Sequence, residues 1–227
     1  MSNPIRIALV GATGLIGQAL IRLAVGRGDV RLVAIARREV ALPPGARMEV
    51  FVADTANWAD AIAAANASVL VSALGTTWQA AGKDEAAFRA VDQQLVLACA
   101  AAAKAAAMRQ MIAVSSVGAD LAAKNFYLRV KGEVEYALGK VGLPRLDLLR
   151  PGLLRGRRGG ERRVGERAAM LVSPLTDLAL HGAWRKFRTI RDDTMARAIL
   201  ALAHEKAKGR FVHEHDALLS AAGRFGN

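Results

Sequence analysis

The stretch that most constrains this chain is Ile5 to Gly17, Ile-Arg-Ile-Ala-Leu-Val-Gly-Ala-Thr-Gly-Leu-Ile-Gly. The apolar, β-branched run Ile5–Val10 predicts a buried strand, and Gly11, Gly14 and Gly17 punctuate a turn that opens into a helical pattern over Leu15–Leu23. Strand, glycine turn and helix in that order form a dinucleotide-binding turn. The first glycine lets the chain reverse, the second lets the backbone approach a pyrophosphate, and the third lets the helix pack on the strand. The helix N-terminus then offers unpaired N–H donors to phosphate. The spacing is G-x-x-G-x-x-G, one position away from G-x-G-x-x-G. A glycine triplet alone also suits a plain strand-to-helix turn, so the rest of the chain has to decide.

At 227 residues, 53% hydrophobic, the chain can bury one large α/β core. Neither a linker nor a solenoid repeat divides it, which predicts a single domain over 1–227, with a cofactor half at about 1–150 and substrate-side segments at about 151–227. Cys99 is the only cysteine, so no internal disulfide forms and a reducing compartment fits. Its place in the alanine-rich run Leu95–Ala107 marks it as a small core residue. The N-terminus passes straight into the first strand, and Lys104 and Arg109 interrupt the longest apolar stretch. These features predict a soluble, cytoplasmic protein.

A net charge of +12 and a pI near 10.8 point to anionic partners: phosphates, nucleic acid or a membrane surface. The charge gathers between Arg155 and Arg167, where six arginines stand among four glycines. A solvated loop is the plain reading of that run, and a lid over an anionic substrate is the sharper one. Nucleic acid is disfavoured, because no aromatic interrupts the run to stack on bases.

Further along, Val30–Ala36 reads as a second strand, followed by Arg37 and Arg38 where an acid would favour a ribose without a 2′-phosphate. Planar guanidinium donors there argue for the 2′-phosphorylated cofactor, NADP(H) over NAD(H). Met48–Ala53 reads as a third strand running into Asp54, which either touches the adenine end of a cofactor or caps the helix expected over Asn57–Ala65. A fourth strand, Val69–Ala73, breaks into Leu74-Gly75-Thr76-Thr77, whose glycine and hydroxyls suit a passing ribose.

Asp84–Ala107 reads as one long helix, and Met111–Ser115 as a fifth strand ending in Ser115-Ser116. The helix that begins near Asn125 places Tyr127 and Lys131 four residues apart on one face. An adjacent ammonium favours the ionised form of a phenol, so the pair is a candidate general acid/base. Thr194–Ala207 is amphipathic with Asp192, Asp193 or Thr194 as its cap, and Gly209–His213 reads as a late edge strand. Leu171–Trp184 is expected around the substrate pocket. His213-Glu214-His215-Asp216 is read as solvent-facing, with no metal site.

In that order these motifs resemble the short-chain dehydrogenase/reductase superfamily, in particular its atypical, compact NADP-binding group of Tat-interacting-protein-like oxidoreductases. The likeness runs from about residue 4 to 200. It rests on the glycine turn, Arg37-Arg38, Leu-Gly-Thr-Thr at 74–77, Val91-Asp92, Ser-Ser-Val-Gly-Ala-Asp at 115–120, Asn-Phe-Tyr at 125–127, Lys-Gly-Glu-Val-Glu at 131–135 and Arg-Pro-Gly at 150–152.

The resemblance implies a Rossmann-type doubly wound parallel sheet, strand order 3-2-1-4-5-6 with room for a seventh strand, and NADP(H) across its C-terminal edge. It implies a diphosphate loop of Gly11, Thr13, Gly14, Leu15, Ile16 and Gly17, and a 2′-phosphate clamp of Arg37 and Arg38. Leu74, Gly75 and Thr76 would lie beneath the riboses, and Arg150-Pro151-Gly152 would line the nicotinamide side. Tyr127 would be the proton donor, with Lys131 binding the nicotinamide ribose and acidifying the phenol. Ser116, or else Ser115, would orient a substrate carbonyl. A nucleotide-sugar is not the substrate expected, since no long C-terminal substrate domain follows. The partners expected are a small-molecule substrate, anionic in one reading, and a second copy of the chain in a homodimer. A cofactor-binding regulator or assembly factor without turnover is the second function class.

Overall fold

A computed structural model describes residues 3–156 and 181–225. Most of the arginine-rich loop and of Leu171–Trp184 therefore lies outside the described residues.

Seven parallel strands form one sheet: β1 (Ile5–Val10), β2 (Val30–Ala36), β3 (Glu49–Val52), β4 (Val69–Ser72), β5 (Gln110–Val114), β6 (Arg145–Leu149) and, late in the chain, β9 (Gly209–His213). Their order is β3-β2-β1-β4-β5-β6-β9, so the expected doubly wound topology is the one adopted and the seventh strand extends it beside β6. Order reverses between β1 and β4, the switch point beside which open parallel sheets take their ligands, at the strands' C-terminal ends.

Both faces of the sheet are covered, which is why the central strands read as unbroken apolar runs. Neighbouring residues serve opposite cores. Ile7, Leu9, Val69 and Val71 pack on the side of α1 (Leu15–Ala24), α6 (Asp192–Ala203) and α7 (His215–Gly223). Ala8, Val10, Leu70 and Met111 pack on the side of α2 (Trp58–Ala64), α4 (Val96–Ala105) and α5 (Phe126–Val141). Cys99 is buried in this second core, and burial pushes its thiol up to about 12.

The long helix expected over Asp84–Ala107 is not uniform. It runs as α3 (Glu85–Arg89), a π-helical turn over Ala90–Leu95, and then α4. The cap of α6 also differs from expectation. Arg191 holds the N-cap position, and Asp192 and Asp193 fall in the first turn, where the helix dipole favours acids. Two-residue strands β7 (Leu154–Arg155) and β8 (Ile190–Arg191) pair in parallel beside the main sheet.

Candidate active site

The turn after β1 is built by contacts that only glycine permits. Gly11 has φ +87°, and a Cβ on it would lie 2.5 Å from the Ala73 carbonyl. A Cβ on Gly17 would lie 2.3 Å from the Gly11 carbonyl oxygen, so α1 seats directly on the turn. Gly14 is the extended N-cap of α1 with no side chain capping it, and the helix ladder starts with Gln18 N–H donating to the Gly14 carbonyl at 2.9 Å. The N–H groups of the first helical turn, around Leu15 and Ile16, thus face outward without a side-chain cap. Thr13 and Gly14 are exposed, while the side chain of Ile16 is buried in the core. Gly17→Ala is expected to lower stability by about 1–3 kcal/mol through backbone overpacking, readable as a fall in urea midpoint.

Beside this turn, β2 ends at Ala36 and delivers Arg37 and Arg38 to solvent, neither paired with any carboxylate among the described residues. Asp54 is exposed at the end of β3. It occupies the N-cap position of a short 3-10 turn, Thr55–Asn57, but its carboxylate caps nothing. Leu74, Gly75 and Thr76 follow β4, tied to β1 by the Ala73 N–H donating to the Val10 carbonyl at 2.9 Å. Uncapped N–H groups and a cradle that a Cβ would fill suit the diphosphate of a dinucleotide.

On the β5–α5 side, Asn125 caps α5 by accepting the Leu128 N–H at 3.2 Å, and one turn of helix then sets Tyr127 and Lys131 on a common face. Tyr127 is half-buried, with its ring edge-on to Phe88 at 5.8 Å between centroids. Lys131 is buried, its Nζ 5.9 Å from the Tyr127 ring centroid and 2.8 Å from Asp92 Oδ1. Asp92 also accepts the Thr76 N–H on Oδ2 at 2.7 Å, which joins the β4 loop to α5. Gly132 lets α5 approach the loop after β5, since a Cβ there would lie 2.4 Å from the Asp120 carbonyl carbon.

The two serines part company, as neighbours at a strand end do. The Ser115 hydroxyl is buried and donates to Glu135 Oε1 at 2.6 Å. Ser116 is half-buried, and its hydroxyl reaches only the Val117 carbonyl, at 3.3 Å. Arg150 grips the same Glu135 with Nε at 2.9 Å and Nη2 at 2.6 Å, a bond that holds the guanidinium pKa above its ordinary value. The side chains of Ser115 and Arg150 are therefore committed to a buried carboxylate. Pro151 accepts the Val117 N–H at 3.0 Å, and Gly152 packs against the Phe187 and Arg188 carbonyls.

Two functional-looking acids were given no role by sequence reasoning: Asp92 and Glu135. A signal for Asp92 exists, because Phe88, Asp92, Val96 and Cys99 follow the 4-4-3 spacing of an inward stripe, and an acid on such a stripe needs a partner. Of the late histidines, His213 turns onto Asp147 at 2.8 Å and His215 onto Asp216 at 3.0 Å. No group of three candidate metal ligands converges among the described residues.

The sheet order and the glycine turn after β1 together define a Rossmann-type dinucleotide-binding fold. The chain belongs to the NAD(P)H-binding family, which its residues 11–172 match. Among curated relatives it is similar to the protein fmp52, mitochondrial, of Aspergillus fumigatus, 33% identical over 199 residues and covering 85% of this chain and 84% of the relative. FMP52 of Eremothecium gossypii is 32% identical, covering 92% and 94%. Among solved structures the fold resembles MoeE5 in complex with UDP-glucuronic acid and NAD, with TM-score 0.69 and 17% identity, over 92% of this chain and 75% of that one. It also resembles the Bordetella bronchiseptica enzyme WbmH in complex with NAD+, with TM-score 0.66 and 15% identity, over 92% and 75%.

The relatives correct one expectation. They are named mitochondrial, which overturns the cytoplasmic placement. Among the described residues no helix is long and apolar enough to cross a membrane.

Proposed function

We propose that the protein is an NADP(H)-dependent oxidoreductase that moves hydride between the nicotinamide and a small carbonyl or quinone-like substrate, with Tyr127 as general acid and base. The observation that carries this reading is the Tyr127–Lys131 pair, one helical turn apart on α5, in a chain with an uncapped glycine turn. The cofactor, when bound, supplies or accepts the hydride. Backbone N–H groups of the turn from Gly11 through Thr13, Gly14, Leu15 and Ile16 to Gly17 hold the diphosphate. Arg37 and Arg38 take the 2′-phosphate, Asp54 the adenine end, and Leu74, Gly75 and Thr76 the riboses. Lys131 holds hydroxyls on the nicotinamide ribose, and the Arg150-Pro151-Gly152 turn walls that side through its backbone. Ser116 donates to the substrate carbonyl, and Tyr127 passes its proton to the oxygen as negative charge develops there.

Fluorescence titration with NADPH and NADH tests the cofactor half of the reading. The parent protein is expected to prefer NADPH, and Arg37→Ser with Arg38→Ser to lose roughly 10–100-fold of that affinity while NADH binding barely changes. That range follows from charged hydrogen bonds worth about 1.5–3 kcal/mol. Equal affinity of the parent for both nucleotides removes the NADP(H) assignment. Cofactor oxidation across aliphatic aldehydes, ketones and quinones tests the chemical half. Binding without consumption across that panel favours the regulator.

A further inference from the structure

Aromatic side chains are scarce in this chain, at 5% of residues, yet four of them meet in one cluster. Phe88 on α3 is fully buried and forms its floor. Trp78 at 6.4 Å between ring centroids, Phe126 at 5.5 Å and Tyr127 at 5.8 Å each meet Phe88 edge to face. Trp78 and Phe126 also touch one another, 5.1 Å apart and tilted by 59°. These are the spacings and tilts of attractive ring pairs.

Two elements bring the rings together at the C-terminal edge of the sheet. Trp78 lies on the loop after β4, which is held on both sides of it. Before it, the Thr76 N–H donates to Asp92 at 2.7 Å. After it, the Ala80 N–H donates to Thr77 Oγ1 at 3.1 Å and the Lys83 N–H to the Trp78 carbonyl at 2.9 Å. Phe126 opens α5 immediately before Tyr127. With the floor buried, the open side of the cluster belongs to the three rings around it. Trp78 contributes most to that side, 39% exposed and with its indole N–H unpartnered among the described residues. A single exposed ring needs no explanation, whereas a contiguous group of them on the ligand edge does.

We propose that Trp78 and Phe126 form a platform on which the substrate lies, and that they select carbonyls borne on a planar aromatic ring over those borne on a saturated one. A flat ring can lie offset or edge-on against both tilted rings and gains the quadrupole attraction as well as the buried area. A saturated ring of the same size gains only the area. Phe126 is the chain neighbour of Tyr127, and Phe88 touches the rings of both, so a substrate ring held on the platform brings its carbonyl beside the phenol. This narrows the proposed function to one substrate class and rests on that reading only for the fate of the carbonyl.

The test compares benzaldehyde with cyclohexanecarbaldehyde, which differ in ring planarity and little in size, as the ratio of their kcat/KM values with NADPH. Trp78→Leu is expected to lower the aromatic-to-saturated ratio about 2–10-fold, the worth of one ring contact, through a raised KM for benzaldehyde. Trp78→Phe keeps a π-face and is expected to retain most of the preference. An unmoved ratio in a Trp78→Leu protein that melts like the parent sinks the platform and leaves the oxidoreductase reading standing. Equal losses in the Leu and Phe variants overturn it too, since bulk and not the π-face would then set the preference. Should Trp78→Leu not fold, Phe126→Leu decides on the same terms. If neither aldehyde is consumed, saturation-transfer NMR on the NADP+-loaded protein reads the platform without the reaction. Benzaldehyde signals that weaken in Trp78→Leu then support it, and signals equal in both proteins, or absent from the parent, overturn it.

Discussion

Tyr127→Phe is expected to bind NADPH as tightly as the parent and to turn over a reducible carbonyl about 10²–10⁴-fold more slowly, the range typical of losing a positioned general acid. The ring's packing is not at stake. Its edge meets Phe88 at 5.8 Å, and Phe126 and Trp78 continue the cluster with centroids 5.5 Å from Phe88 and 5.1 Å from Phe126 respectively. A phenylalanine makes the same contacts. The variant removes one hydroxyl, so the melting temperature and the cofactor titration are controls expected to stay at parental values. A single-turnover measurement on the most reactive carbonyl of the panel reads the chemical step directly. Equal rates in parent and variant would strip Tyr127 of its role, because no other phenol lies in this cluster and the second tyrosine, Tyr136, is exposed elsewhere on α5.

Much of this arrangement was legible from residues alone, for a physical reason. A parallel sheet covered on both faces turns its strands into continuous apolar runs, and the bounds read for β1, β2 and β9 coincide with those observed. The glycine turn was legible because backbone contacts at 2.3–2.5 Å from a virtual Cβ exclude every other residue at Gly11 and Gly17. Less was legible where the pattern carries no phase. In Asp84–Ala107 the stripe Phe88, Asp92, Val96 and Cys99 keeps helical spacing straight across Ala90–Leu95, so the π-turn there leaves no mark on the periodicity. The choice between Ser115 and Ser116 could not be made from two identical residues. What distinguishes them in the fold is Glu135, twenty positions away, which draws the Ser115 hydroxyl inward. β7, β8 and α7 went unread because two-residue strands and a short helix depend on what they pack against and not on their own composition.

Asp147→Ala is expected to cost about 3–5 kcal/mol, the range for orphaning one member of a buried ion pair. For a domain of this size that lowers the melting temperature by roughly 6–20 °C. Asp147 is fully buried in β6. It receives Arg145 Nε at 2.7 Å and Nη2 at 2.8 Å, Gln110 Nε2 from β5 at 2.8 Å, and His213 from β9 at 2.8 Å. Three adjacent strands are thus stitched through one carboxylate, including the edge strand β9. Removing it strands the guanidinium of Arg145 between the Phe211 ring, 4.2 Å away, and the Ala207 carbonyl.

Burial alone would raise the Asp147 carboxyl, but the bonds from His213, Arg145 and Gln110 outweigh it and hold it below the usual 3.8. A depressed carboxylate stabilises the fold fully above its unfolded pKa and loses that contribution as pH falls toward the folded one. The stability gap between parent and Asp147→Ala, measured by urea unfolding, should therefore stay constant above about pH 4 and narrow below it. A gap under about 1 kcal/mol at neutral pH, or one that holds its width as the solution is acidified below that point, would show that the β5–β6–β9 seam is held by its apolar contacts and not by this charge.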